Sequence, residues 1–326
     1  MKAAWYTRNG EAKDVLTVGE MPDPVAGPGE VLVKLATSGV NPSDVKSRRG
    51  RPLASERIIP HSDGAGIVTG VGPGVPAQRI GQRVWIWNGQ WQRPLGTCAG
   101  YIAVPQAQAV PLADHTDFEA AACFGIPLLT AIQAVRLAGE MAGKTVLVTG
   151  AANAVGHYVT QLARMQGAHV IGTVGSQARA RHAESAGAAE TVNYKTEDVA
   201  QRVQALTGGR GADVVIDMDF SSTAKLLAQG VLRPHGLLVC YGSNDAGDVP
   251  VNFRTLLWGS IALKFFLVYD LLPDDRTATL GILQDLLAQN VLRHAVAQVY
   301  PLDQVVAAHE AVESGQVIGN VVISLG

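Results

Sequence analysis

The chain has 326 residues, of which 47% are hydrophobic and 17% charged, with 26 basic against 28 acidic side chains. That apolar content is enough for sizeable cores in about two domains of roughly 100 to 200 residues each, and it excludes a disordered chain. A formal net charge of -2 with no block of like charges argues against a nucleic-acid backbone or an anionic membrane as partner and for a small, nearly neutral molecule.

From residue 1 to about 124, short apolar runs broken by Gly and Pro predict β structure with loops. Strands are expected over 31–36, 64–68 and 83–87, with Pro22, Pro24, Pro28, Pro73 and Pro76 between them. This half reads as a small barrel-like β domain. Beyond about residue 118, strands alternate with helix-length segments, the mark of βαβ units on a parallel sheet. Strands are predicted over 145–149, 169–174, 190–192, 212–218, 237–241 and 261–266, and helices over 155–165, 178–186, 198–206 and 221–232. Six such β elements make a doubly wound nucleotide-binding domain. The tail has helices over 277–289 and 302–314, a strand over 296–300 and an apolar run over 321–325. It is expected to pack back on the first domain and leave a cleft between the two.

Cys98, Cys123 and Cys240 are too few and too widely spaced for a disulfide framework or a four-cysteine zinc lobe. The opening residues lack the apolar stretch of a secretion signal, and no run approaches a membrane span. A soluble, cytoplasmic protein is expected.

The order strand, small-residue turn, helix at 145–165 is that of a dinucleotide site. In the turn Gly150-Ala151-Ala152-Asn153-Ala154-Val155-Gly156, small residues let the backbone approach a pyrophosphate, which the free N–H groups of the next helix receive. The full G-x-G-x-x-G is absent, since Ala151 and Asn153 stand at its first two glycine positions. Asn is among the few non-glycine residues that visit left-handed backbone readily. An ordinary tight turn that binds nothing is the plain alternative. After the second strand, an NAD site expects a carboxylate, but Gly175-Ser176-Gln177-Ala178-Arg179-Ala180-Arg181 follows instead. A hydroxyl and an arginine there suit the 2'-phosphate of NADPH, which arginine grips by a charge-assisted fork. Arg181 reads as a solvated helix face.

These features and others along the chain resemble the zeta-crystallin-like quinone oxidoreductases of the medium-chain dehydrogenase/reductase superfamily. The matching stretches include Gly39-Val40-Asn41-Pro42-Ser43-Asp44, Asp63-Gly64-Ala65-Gly66-Ile67-Val68, Leu129-Thr130-Ala131, Gly172-Thr173-Val174-Gly175-Ser176, Asn193-Tyr194, Tyr241-Gly242-Ser243, Ala308-His309-Glu310 and Gly319-Asn320-Val321-Val322. The resemblance implies an α/β protein with a GroES-like β-barrel catalytic domain over 1–124 and 269–326 and a Rossmann NADPH-binding domain over 125–268. It implies zinc-independent hydride transfer from NADPH to a quinone in the cleft. The alternatives are reduction of an activated C=C bond in an enone or alkenal, and a non-catalytic NADPH-binding protein. A homodimer through the sheet edge near 261–268 is implied as well.

By the same resemblance Asn41, Asp44, Lys46 and Thr130 are the catalytic candidates, with Asn41 and Thr130 near the nicotinamide. Ala152, Asn153, Ala154 and Val155 would meet the pyrophosphate, and Gly175, Ser176, Arg179 and Tyr194 the 2'-phosphate. Tyr241, Gly242 and Ser243 would line the nicotinamide side, with Phe265, Phe266, Leu267 and Asn320 closing it. The zinc-dependent relatives place Cys and His ligands where this chain has Asn41, Pro42, Ser62 and Asp63, and their second Cys position, near Ile126, is also empty. His61 lies one place off that pattern and reads as a structural histidine. Tyrosines that reach the substrate in the family are replaced by Lys46 and Pro52. Lys46 reads either as a replacement proton donor or as a solvated loop charge. Trp85, Trp87 and Trp91 read either as a stacking platform for a flat quinone or as packing.

Overall fold

Strand Glu30–Val40 is the hub of the first half of the molecule, because Val31, Val33 and Leu35 alternate inward while Lys34 faces out. It pairs antiparallel with Asp63–Val71, Asn320–Ser324 and Tyr101–Pro105. A strand with three partners makes its sheet wrap, and the wrapped face encloses Val68, Val84, Ile86, Ile102 and Val104. The sheet runs Val296–Pro301, Asn320–Ser324, Glu30–Val40, Asp63–Val71, Arg83–Ile86 and Ala109–Pro111, with Tyr101–Pro105 on Glu30–Val40. In this computed structural model, which describes residues 1–245 and 247–326, residues 1–126 and 294–326 form one compact unit and residues 127–293 the other.

The second unit is built on six parallel strands in the order Glu190–Asn193, His169–Val174, Thr145–Val148, Ala212–Asp217, Leu232–Cys240 and Ala262–Phe265. The chain starts at the third of these positions, winds outward to one edge, then crosses back and winds to the other. The reversal falls between Thr145–Val148 and Ala212–Asp217, and the carboxyl ends of strands at such a point form the ligand crevice of doubly wound sheets. Leu147, Ile171, Val215 and Leu238 fill the core beneath it.

The structure corrects several sequence expectations. The helix expected over 221–232 is Phe220–Leu227; Gly230 at φ +77° breaks it, and strand Leu232–Cys240 has already begun at Leu232. Helix Pro273–Ala288 belongs to the parallel-sheet unit, not to the barrel-like unit in which 269–293 was expected. Its Thr279 hydroxyl donates to Gln133 at 3.0 Å and its Asp275 pairs with Arg136 at 3.0 Å, both from helix Leu129–Ala138. The tail helix is Val305–Glu313, preceded by a single tight turn Leu302–Gln304. Helices Pro42–Gly50, Leu129–Ala138 and Phe253–Trp258 were not anticipated. Among the described residues no helix is long and apolar enough to cross a membrane.

Candidate functional site

In the parallel-sheet unit, the turn after strand Thr145–Val148 is shaped by two glycines. Gly150 has φ +65°, and a Cβ on it would lie 2.2 Å from Met218 Sδ. A Cβ on Gly156 would lie 2.1 Å from the Gly150 carbonyl oxygen. Only glycine lets the strand end and the helix start approach this closely. Asn153 is the N-cap of the twelve-residue helix Ala154–Met165, and its side chain makes no cap hydrogen bond. The first-turn N–H groups are therefore left without that cap, at the positive end of a helix dipole.

The Asn153 side chain is committed elsewhere. Its Nδ2 donates to Met218 Sδ at 2.9 Å, and its Oδ1 accepts from Arg179 Nη1 at 2.9 Å. Arg179 therefore lies against the turn, half-buried, while Arg181 is exposed. Ser176 caps helix Gln177–Ser185 by accepting from the Arg179 N–H at 3.3 Å. The Tyr194 hydroxyl sits 2.7 Å from where a Cβ on Gly175 would be. Ser176, Arg179 and Tyr194, which are separate in sequence, thus surround one spot at the ends of two adjacent strands.

A second set of polar groups at these strand ends was missed from sequence. Thr149 and Thr223 hydroxyls donate to Asp217 Oδ1 at 2.8 and 2.7 Å, and Met218 N–H donates to Thr149 Oγ1 at 2.9 Å. Burial pushes the Asp217 carboxyl up, against the pull of those two hydroxyls. Burial also pushes Asp219 up, but hydrogen bonds from Ser221, Ser222 and Asn244 outweigh it and hold the carboxyl below its usual range. These carboxyls fix the loops that carry Met218 and 242–244. The signal was present as Asp217-Met218-Asp219-Phe220-Ser221-Ser222 directly after a strand.

The other named positions divide. Tyr241 and Phe266 come together, with ring centroids 6.4 Å apart. Phe265 instead packs edge-on against Phe220 at 4.9 Å and, like Leu267, is exposed. Thr130 is buried in helix Leu129–Ala138, and its Oγ1 has no hydrogen-bond partner among the described residues.

In the barrel-like unit, Asn41 precedes helix Pro42–Gly50, and its backbone N–H donates to Asp44 Oδ2 at 2.8 Å. Asn41 Nδ2 donates to Asp63 Oδ2 at 2.9 Å, which also accepts from the Ile126 N–H at 3.1 Å. Burial raises the Asp44 carboxyl to about 7. Asp63 is raised well above its ordinary range, by burial and then by the nearby Asp44. His61 is paired rather than lone. The Thr97 hydroxyl donates to the Asp63 carbonyl at 2.5 Å, so the 2.7 Å contact with Ser38 takes the serine proton. Ser38 must then accept from His61 Nδ1–H at 2.9 Å, which leaves His61 Nε2 to accept from His309 Nε2–H at 2.9 Å. Burial lowers His61 to about 3 and His309 well below its ordinary value, so both rings are neutral.

Residues 27–114 match the family described as the alcohol dehydrogenase GroES-like domain, and residues 154–285 match the zinc-binding dehydrogenase family. The chain is 32% identical over 304 residues to a quinone oxidoreductase of Pseudomonas aeruginosa, covering 91% of each. It is 30% identical over 308 residues to a 2-haloacrylate reductase of Burkholderia, again covering 91% of each. The Escherichia coli quinone oxidoreductase solved in complex with NADPH superposes with a TM-score of 0.90 at 28% identity, covering 100% of both chains. The chain belongs to the zeta-crystallin-like quinone oxidoreductases of the medium-chain dehydrogenase/reductase superfamily. Its architecture is the GroES-like barrel and Rossmann sheet of that family.

Within this family the question of zinc turns on the donor set. A catalytic zinc takes thiolate, imidazole or carboxylate ligands around an open position. Asn41, Ser62 and Asp63 offer an amide, a hydroxyl and a carboxyl that burial drives toward its neutral form. Cys98 and Cys123 are buried thiols pushed upward by desolvation. No group of three or more His, Cys, Asp or Glu side chains among the described residues could hold a metal. These residues do not fit a catalytic zinc. Of the remaining family positions, Asn320 is buried in the barrel-like unit, with its Nδ2 committed to the Ala295 carbonyl at 3.1 Å. Lys46 is exposed on helix Pro42–Gly50. Of the three tryptophans, Trp85 is core packing on Phe124, Trp87 Nε1 donates to the Ala107 carbonyl at 3.1 Å, and Trp91 lies under Arg51.

Proposed function

We propose that this chain is an NADPH-dependent reductase of quinones that uses no metal. The observation that carries the reading is the grouping of Ser176, Arg179 and Tyr194 beside the turn 150–156, with Arg179 bonded to Asn153. A half-buried guanidinium at that strand end suits a 2'-phosphate, and the uncapped helix start beside it suits a pyrophosphate. In this reading the backbone of Ala152, Asn153, Ala154 and Val155 holds the pyrophosphate, and Gly175 leaves room for the Tyr194 hydroxyl to approach the strand end. Tyr241, Gly242, Ser243 and Phe266 flank the nicotinamide.

Bound NADPH would supply the hydride, and the protein's part is alignment and stabilisation of the oxygen that gains charge. Thr130 is the candidate donor, because its buried hydroxyl has no partner within the protein's described residues. The quinone assignment draws support from the Pseudomonas aeruginosa and Escherichia coli relatives. The Burkholderia relative, named for 2-haloacrylate, favours a second reading in which an activated C=C bond is reduced with the same cofactor geometry.

The test is NADPH oxidation with 1,4-benzoquinone, 9,10-phenanthrenequinone and a 2-alkenal, before and after dialysis against a chelator. Saturable turnover of a quinone, unchanged by the chelator, is expected. Turnover of none of the three despite saturable NADPH binding overturns both readings. We also propose a homodimer through the edge strand Ala262–Phe265, beside which Phe253, Leu257 and Trp258 are exposed. Sedimentation should give twice the chain mass, and Trp258→Glu should give monomers; a monomeric wild type overturns this proposal.

A further inference from the structure

Arg51 follows the last turn of helix Pro42–Gly50, and its guanidinium lies 4.9 Å from the centroid of the Trp91 ring. Stacking on an aromatic face engages the flat side of a guanidinium and leaves its in-plane N–H donors available. Among the described residues, Arg51 uses none of those donors in a hydrogen bond or ion pair. Both residues wall a cavity of about 240 Å³ that lies wholly within the barrel-like unit. Arg93, the other cation in the wall, is already committed to the carbonyls of Gly89 and Ala103 at 2.8 and 3.2 Å.

Tyr6 lines the same cavity and is 4% exposed. Its hydroxyl makes no hydrogen bond among the described residues, and burial raises its pKa to about 12, so it remains a donor at any working pH. Although the side chain is buried, its hydroxyl oxygen keeps accessible surface, so a ligand in the cavity can reach it. No acidic side chain lines the cavity, and Leu53 and Ile58 supply apolar wall. Gln90 donates its amide to the Arg93 carbonyl at 3.0 Å and Gln92 adds a neutral amide to the wall, so the charged fork of Arg51 and the phenol of Tyr6 match two acceptor oxygens on an apolar body. A phosphate, with more oxygens and a larger charge, would be left underserved by them.

We propose that the cavity between Tyr6, Arg51 and Trp91 is a subsite for a small organic carboxylate and gives the enzyme a preference for acceptors that carry one. Pro52 lines it too. The extension to acceptors rests on the reductase reading above, whereas carboxylate binding does not.

Two arms keep these apart. In the first, calorimetry measures binding of 2-naphthoate against 2-naphthamide to the unmodified protein and to Arg51→Met, Arg51→Lys and Tyr6→Phe, each checked for an unchanged thermal midpoint. The acid should bind about tenfold more tightly than the amide, as expected for a charge-assisted pair. The ratio should fall to near one in Arg51→Met and be largely kept in Arg51→Lys, and Tyr6→Phe should reduce it about threefold. In the second arm, KM is compared for 2-(4-carboxyphenyl)-1,4-benzoquinone and its methyl ester, and the same ratio should appear in KM with kcat little changed. Equal binding of acid and amide by the wild type overturns the subsite, whatever the turnover. Carboxylate-selective binding that is lost in Arg51→Met supports it even if neither quinone is reduced. A binding ratio without the matching KM ratio in an active enzyme overturns the extension to acceptors.

Discussion

The barrel-like unit and the parallel-sheet unit differ in where their polar side chains gather. In the first, Thr97, Ser38, His61 and His309 form a closed chain, Asn41 is tied to Asp63, and buried Arg48 is paired with Glu313. Those groups bond chiefly to one another, although Arg48 Nε, Asp63 Oδ1 and His309 Nδ1 lie buried without a partner among the described residues, and the network specifies how strands and the tail helix pack. In the second, Arg179, Ser176 and Tyr194 gather at strand ends, the Thr130 hydroxyl is buried without a partner among the described residues, and the start of helix Ala154–Met165 has no side-chain cap. A closed network defines a fold, and an open donor set invites a ligand. Breaking the first should cost stability and spare cofactor affinity, whereas breaking the second should do the reverse.

The largest effect is expected at Arg48, whose side chain is fully buried and hydrogen-bonded to Glu313 and the Gly10 carbonyl. Removing one partner of a buried ion pair leaves an uncompensated charge and typically costs about 3 to 5 kcal/mol. Glu313→Ala should lower the urea midpoint accordingly and leave NADPH affinity in the surviving folded protein within twofold. A loss of less than about 1 kcal/mol would mean that the pair is solvated.

The pH dependence of the same unit sets two buried types of group against each other. His61 is lowered to about 3 from 6.5, so its contribution is fully present above 6.5 and is lost as pH falls toward 3. Asp44 is raised to about 7 from 3.8, so its contribution is fully present below 3.8 and is lost as pH rises through 7. Between about pH 4 and 6.5 the two oppose, since the unfolded chain gains a proton on the histidine while the folded one holds a proton on the carboxyl. Asp44→Asn removes one side of the balance. Its stability should fall more steeply than the wild type's on acidification, by about 1.4 kcal/mol per pH unit, or roughly 2 to 3 kcal/mol from pH 6.5 to 4.5. Parallel urea titrations at the two pH values check this, and equal slopes would show that Asp44 is ionised in the fold.

The open set breaks differently. Arg179→Ala should weaken NADPH binding by about 2 kcal/mol, since a charge-assisted bond to phosphate is lost. NADH, which lacks that phosphate, should weaken less than threefold, since the bond to Asn153 is lost in either case. Fluorescence titration with both cofactors separates the two, and equal losses would remove Arg179 from the phosphate site.

This contrast also explains what could be read before the structure. Strands such as His169–Val174 and the turn 150–156 were legible because periodicity and small-residue spacing are local signals. The position of Arg179 followed from counting past the second strand. The His61–His309 pair was not legible, because its partners lie 248 residues apart and each alone looks like an ordinary core or loop histidine. Helix Pro42–Gly50 was invisible for a related reason: Lys46, Ser47, Arg48 and Arg49 interrupt any apolar stripe, and the helix is held by tertiary contacts such as Arg48 to Glu313. Of the three tryptophans, strand alternation sends Trp85 into the core against Phe124, whereas Trp91 lies in the following loop under Arg51.

The smallest effect on stability, and the sharpest on the contrast, is expected at Thr130. Among the described residues its hydroxyl, buried in helix Leu129–Ala138, has no partner, so Thr130→Val deletes an unsatisfied polar group while keeping the shape of the side chain. A buried hydroxyl that lacks a hydrogen bond disfavours the folded state by about 1 to 3 kcal/mol, so the variant should be unchanged or up to about 1 kcal/mol more stable. If that hydroxyl is held in reserve for a ligand, kcat/KM for the quinone should nonetheless fall about tenfold, equivalent to about 1.4 kcal/mol of lost transition-state stabilisation. Thermal melts and steady-state rates on one preparation decide the matter. A variant that gains stability at full activity would make Thr130 a packing residue and leave the donor to the acceptor oxygen to be sought elsewhere among the strand ends.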